Sequence, residues 1–444
     1  MPEPERQAAD DPGTSPAPVR YELAAAGEPA RPPIGATSAV AYIRAWGTRV
    51  KGGDTGMLPV VAALVIAVVV FTIISPNHVF LSPANLVNLF DQSAVFIVLG
   101  VGEAFVLLLG EIDLSIGYTA AIGGIVAAQL VQPSPDLAWW IAIIAGLLAG
   151  AAIGGIQGTI ITRLGMPAFV VTLAGYLILF GVMIIILGTA GGVSITGNGA
   201  NQQALHDIVY GYIDPLVSWI GLAVVVGAYA LLPVRRDRGR RRSGLVAPPP
   251  SVTLAKIAVV AIAGVIVVAI CNIDRGRYLP VVGVPYVIPI VLLIVAGWTV
   301  LLERMRYGRH MYATGGNAEA ARRAGIDVPR VRTIAFALCG MTAGMAGIIY
   351  TSWLGGMTTN INGGQLVLYA VAAAVIGGTS LFGGRGRIIH GLLGGLVIGT
   401  IYNGLYLLGL PIQYQLVVTG LVLLAAVSVD SLSHRRLPRL RPSV

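Results

Sequence analysis

The sequence predicts an all-α polytopic membrane protein, and three observations carry that reading. Of 444 residues, 56% are hydrophobic and 11% are charged, against about a quarter charged in soluble domains. The mean hydropathy is +0.81 and the chain holds 58 glycines, which are commoner in membrane helices than in soluble ones. From Met57 onward, apolar stretches of roughly span length follow one another, taking about 20 residues per crossing as the ruler. A soluble globule, a disordered chain and a disulfide-framed domain are all disfavoured by this composition.

The elements follow in order. Residues 1–56 are rich in Pro, Ala, Glu and Arg and read as a disordered cytoplasmic tail, with no apolar run long enough for a signal peptide. The transmembrane domain, residues 57–430, opens with apolar stretches at Leu58–Ile74, Ser93–Leu109, Ile116–Val131, Leu137–Ile161, Ala168–Gly188 and Pro215–Leu232. It continues with Leu254–Cys271, Pro285–Leu302, Thr333–Tyr350, Leu366–Phe382, Ile388–Gly409 and Ile412–Val429. That makes about twelve spans, several short or glycine-broken and therefore candidates for discontinuous helices. Residues 431–444 form a C-terminal tail.

Charge sets the orientation. The formal net charge is +9, yet no lysine or arginine lies between Lys51 and Arg163. With the N-terminus inside, all but Arg275 and Arg277 of the 29 Lys and Arg residues fall in cytoplasmic segments or at their edge. Both termini are expected in the cytoplasm. The Arg235–Arg242 run lacks interleaved aromatics and reads as a topogenic loop between two spans, not a nucleic-acid patch. Cys271 and Cys339 fall in apolar stretches and read as inert buried thiols. No metalloprotease, phosphate-loop or nucleophilic-triad spacing is present, so an enzyme and a self-contained ATPase are both disfavoured. No cofactor, metal or catalytic residue is expected on this chain.

Two sets of residues stand out. The first comprises acids at membrane depth, where an ionised carboxylate costs about 2.5–3.5 kcal/mol and needs a partner or a polar cavity. Glu103 lies within the second apolar stretch, and Glu111, Asp113 and Ser115 follow in Gly110–Gly117. Asp113 is also placed to cap a helix starting near Leu114, through the amide of Ser115 or Ile116. These four residues are the candidates for a translocation pathway. The second set lies in the loop of residues 312–331, expected on the cytoplasmic side. Asn317 can cap a helix of about seven residues and 10 Å. Glu319 suits the positive end of such a helix, and Gly325 suits its left-handed terminus. Gly316, Asn317, Glu319, Ala320, Ala321 and Gly325 are the candidates for a protein-docking surface.

Glu319-Ala320-Ala321 followed by Gly325 resembles the EAA-x-x-x-G signature of ABC importer permeases, the short helix that docks into the ATPase subunit. Glu111–Ser115, Pro167–Leu173, Tyr312–Ile326, Val375–Leu381 and Gly383-Gly384 resemble, in family order, the permeases of ribose- and xylose-type monosaccharide importers. The xylose type is nearest, through Glu111 before the Ile-Asp-Leu-Ser motif, the extra hairpin at 216–271 and the external Asn272–Gly276 segment. Three positions depart from the family pattern: Val367 and Tyr369 where many relatives are acidic, Glu103 where many are apolar, and Arg323 before Gly325.

The resemblance implies a ten-span, type II-like ABC importer permease core with one added transmembrane hairpin. It further implies a homodimer in the bacterial plasma membrane, surrounded by lipid, with separate ATPase subunits using ATP and Mg. An extracytoplasmic sugar-binding protein would deliver a pentose-like monosaccharide, D-xylose first. The alternatives are a proton-coupled secondary transporter, or a permease of the same architecture for another sugar, a nucleoside or a branched-chain amino acid.

Overall fold

A computed structural model describes residues 56–245, 247–276, 280–421 and 424. The two tails expected at 1–56 and 431–444 lie outside the described residues, apart from Gly56. The chain is a helical bundle. It begins with α1 (Leu58–Ile74), α2 (Pro83–Leu107), α3 (Ile116–Leu130), α4 (Trp139–Leu164), α5 (Ala168–Leu187) and α6 (Ala200–Tyr210). Next come α7 (Pro215–Arg242), α8 (Pro250–Cys271), α9 (Val287–Arg304), α10 (Arg306–Gly316) and α11 (Ala318–Arg323). The last are α12 (Val328–Leu354), α13 (Gly363–Gly377) and α14 (Ile388–Leu407), followed by a helical stretch over residues 412–421.

Each of the twelve apolar stretches is helical over most of its described residues, and among the described residues eight helices are long and apolar enough to cross a membrane. Helices α1, α3 and α13 are apolar but shorter. Two boundaries differ from expectation for physical reasons. Helix α2 starts ten residues before Ser93, because Ser82 caps it by accepting from the Asn85 amide at 3.3 Å. Asn85 and Gln92, two of the polar residues that break the apolar run there, are paired inside the bundle. Asn85 and Asn403 exchange side-chain hydrogen bonds of 2.9 and 3.1 Å, and Asn403 also donates to Gln92 at 3.1 Å. Helix α7 runs on through the expected Arg235–Arg242 loop, since arginine is a good helix former.

The centre of the bundle is α12, which packs along α4, α3 and α2, with α14 and α13 completing the wall beside α2. The spacing of small residues explains the closest crossing. Gly146, Gly150, Gly154 and Gly158 recur every fourth residue on one face of α4. Each meets the backbone or side chains of α12, at Ile348, Gly340, Phe336 and Thr333 in turn. Without side chains between them the two backbones pack directly, as small residues allow in membranes. Helices α7 and α8 pack on one another at the edge of the bundle, and most of their side chains are exposed.

Two short antiparallel ribbons tie the far ends of the bundle. β1 (Gly192–Ser194) pairs with β4 (Gly356–Thr358), with Val193 opposite Met357. β2 (Tyr212–Ile213) pairs with β3 (Val284–Pro285), closing the base of the α7–α8 hairpin.

Candidate functional site

The break between α2 and α3 gathers three of the four pathway candidates. Glu103, Asp113 and Ser115 are at most 1% exposed, so they are sealed inside the bundle. A Glu103 carboxylate oxygen accepts from the Asp113 amide at 3.2 Å. One Asp113 oxygen accepts from the Ser115 amide at 2.8 Å and from its hydroxyl at 2.6 Å. The other faces the Cys339 thiol of α12 at 3.7 Å. Gln157 of α4 completes the set by donating to the Ser115 hydroxyl at 2.8 Å. A turn that leaves one helix and starts the next must satisfy its backbone amides, and these carboxylates do so for Asp113 and Ser115. The arrangement binds α2, α3, α4 and α12 together through one polar knot.

Glu111 is separate from that knot. It is 11% exposed and lies 3.1 Å from the Arg332 guanidinium, near the start of α12. The pair joins the α2–α3 break to the segment that follows the short helix at Ala318–Arg323.

That short helix, α11, has six residues rather than seven. Asn317 caps it, accepting from the Ala320 amide at 2.9 Å. Gly325 takes φ +81, and the Ile326 amide donates to the Ala321 carbonyl at 3.0 Å, closing the end. Only a residue without a Cβ adopts that backbone at little cost. Ala321 is the buried face, while Gly316, Asn317, Glu319, Ala320, Arg322 and Arg323 are exposed. Glu319 pairs with Arg322 at 2.7 Å and with Arg323 at 3.1 Å, so Arg323 serves the helix internally. Helix α10, whose Tyr312 and Gly315 anchor the platform beneath α11, lies where the sequence reads as loop.

The platform is held from several sides. The Tyr312 hydroxyl donates to the Gly386 carbonyl at 2.8 Å. Burial, with Glu303 adding to it, pushes that hydroxyl up to about 12, so it remains a donor. The Gly384 amide donates to the Leu108 carbonyl at 2.8 Å, just past the end of α2. Gly315 packs against the same carbonyl and against Gly384. The Arg387 Nε donates to Glu303 at 2.8 Å. Thus α10, the Ser380–Arg387 turn and the α2–α3 break form one connected layer. Gln157, Arg332 and Glu303 were not singled out in the sequence, and Cys339 read only as an inert buried thiol, because each reaches its partner from a distant element. Among the described residues no group of three His, Cys, Asp or Glu could hold a metal ion.

The family profile described as branched-chain amino acid transport system / permease component matches residues 85–427. The chain is 33% identical to the xylose transport system permease protein of Escherichia coli, over 85% of this chain and 92% of that one. It is 32% identical to the D-allose transport system permease protein of the same organism, over 83% of this chain and 90% of that one. The ribose import permease protein of Escherichia coli is also 32% identical, over 83% and 92% of the two chains. No solved structure matches. These relatives are transport subunits rather than enzymes, and permease components of ABC importers work with ATPase and substrate-binding partners. This multi-pass membrane protein belongs to the family of branched-chain amino acid transport system permease components.

Proposed function

We propose that the chain is the membrane permease of an ATP-driven importer for a pentose-like monosaccharide, with D-xylose the first candidate substrate. The observation that carries this reading is the similarity, along more than four fifths of the chain, to permeases named for xylose, allose and ribose. The capped α11 supports it, since its exposed face is a ready docking surface for an ATPase through Gly316, Asn317, Glu319 and Ala320. Buried Ala321 and the terminus at Gly325 set that helix in place.

In this reading two copies pair around a central pathway in the plasma membrane, with all four chain ends in the cytoplasm. Two ATPase subunits bind ATP and Mg, and an external binding protein delivers the sugar. The α2–α3 break, with Glu103, Glu111, Asp113 and Ser115, borders the pathway and moves when the docked ATPase closes. The Glu111–Arg332 pair and the Gly384–Leu108 hydrogen bond are the direct links between the docking layer and that break.

The test is uptake by proteoliposomes holding the complete transporter. Labelled xylose, ribose and allose are supplied with their binding protein, with ATP enclosed with the ATPase. Uptake of one of them that requires ATP hydrolysis is expected. Uptake driven by an imposed proton gradient without ATP would overturn the reading in favour of a secondary transporter.

A further inference from the structure

Helix α13 starts inside the bundle rather than at its surface. Its first residue, Gly363, packs against Gly117 and the ring of Tyr118, both in the first turn of α3. Gly364 lies beneath Tyr176 of α5, whose hydroxyl is 3.0 Å from where a Cβ would sit. Tyr176 is eight residues from the start of α5, hence about 12 Å along that helix. The neighbouring layer, where Gln157 and Ser115 close on Gly175, gives a matching depth. Gln157 is seven residues from the end of α4, hence about 10 Å along it. With 15 residues, α13 is about 22 Å long and falls short of a hydrocarbon core of about 30 Å. It is a half-helix, the type of element that forms midplane sites in transporters.

This start is open. Asn362 is exposed, and Gly364, Gln365 and Tyr176 are half-buried, although closely packed helices surround them. Tyr118 backs Tyr176, with ring centroids 4.8 Å apart at 68°, and Phe180 lies 5.1 Å from Tyr118. Asn362 accepts from the Gln365 amide at 3.1 Å, and the Gln365 side chain donates to the Tyr369 hydroxyl at 2.7 Å. Every one of these side chains is uncharged. The nearby acids, Glu103 and Asp113, are sealed behind the Ser115–Gln157 layer.

A sugar ring has an apolar C–H face and a rim of hydroxyls. An aromatic face suits the former, and amide and phenol groups that both donate and accept suit the latter. We infer that Tyr176, Asn362 and Gln365, backed by Tyr118, form a transit site for a neutral sugar ring partway through the membrane. The sugar's identity rests on the proposed function, but the opening does not. Such a site holds its solute weakly, as conduction requires that a ligand can also leave.

The test uses single variants of the full chain in the assembled transporter: Tyr176→Cys, Asn362→Cys and Gln365→Cys. The two native cysteines are free and buried, so the unaltered chain supplies the blank. A small charged methanethiosulfonate is expected to label all three variants, with labelling slowed by D-xylose, ribose or allose, whichever is transported. Gln365→Leu is expected to lower uptake about fivefold, the equivalent of one lost hydrogen bond, with ATP hydrolysis retained. No labelling at any of the three positions would overturn the inference. So would labelling accompanied by unchanged uptake in both Gln365→Leu and Tyr176→Leu. If the unaltered complex moved none of the three sugars, the proposed function would fall, while labelling would still decide the opening.

Discussion

At the scale of single residues, Asp113 is the clearest case. Its cap on Ser115 was legible in the sequence, because donor and acceptor are two residues apart and the turn is local. Its contact with Cys339 was not, nor was that of Ser115 with Gln157, since α12 and α4 arrive only once the bundle has formed. Asp113→Ala removes the acceptor for both the Ser115 amide and its hydroxyl. The loss of such a cap costs about 0.5–2 kcal/mol, so a lower midpoint in detergent-phase thermal unfolding is expected, with reduced yield. Glu111 differs, because its side chain pairs with Arg332 at the rim of the docking layer. Glu111→Gln keeps the shape and loses the charge. Normal yield with altered uptake is the expected result, measured on the same proteoliposomes as the unaltered chain. Reduced yield with normal specific uptake would instead assign Glu111 a structural role.

At the scale of elements, the sequence was most informative where the determinants are local. Asn317 and Gly325 marked the two ends of α11 because capping is written in side-chain chemistry and backbone freedom. Helix α10 was missed because it is short, charged and adjacent to a span, so it resembled loop. The start of α2 was missed because Asn85, Asp91 and Gln92 interrupt the apolar run, and the pairing of Asn85 and Gln92 depends on Asn403 from a remote helix. Two predictions belong here. Gly154→Leu places a side chain against the Phe336 carbonyl in the α4–α12 crossing. Overpacking of this kind costs about 1–3 kcal/mol or more, and a lower unfolding midpoint or loss of the folded peak in size-exclusion chromatography is expected. The second concerns docking. Glu319→Lys opposes Arg322 and Arg323 and reverses the charge at the start of α11. Gly325→Val forces a β-branched residue to φ +81. Both should reduce co-purification of the ATPase while leaving the permease folded, and retention of the ATPase by both would remove α11 as the docking helix.

At the scale of the whole molecule, the twelve apolar stretches were readable because hydrophobic length is a property of the chain alone. Their division into a core and an addition depends on packing, and here the structure bears on the α7–α8 hairpin. These two helices pack chiefly on one another, and α8 meets the core in a small cluster in which Val87 of α2 packs with Val268, Cys271 and Val284. Within the hairpin, Thr253 donates to Asp237 at 2.6 Å, and beyond it Arg275 lies 5.3 Å over the Tyr212 ring. The base is already joined, since Ile213 of β2 lies opposite Val284 of β3. A two-stranded pair at this spacing, about 5 Å, can be bridged by a tight turn. Excising residues 214–283 and linking Ile213 to Val284 through a short Asn-Gly turn should therefore leave a folded ten-span core. The cost is the exposure of Val87 and its neighbours, a few side chains that lipid can cover without the penalty water would impose, and the loss of Arg275 from its place over Tyr212. A monodisperse product with an unfolding midpoint within a few degrees of the full chain is expected. Aggregation of the excised form, with the full chain monodisperse under the same conditions, would show that the hairpin supports the core and is not an addition to it.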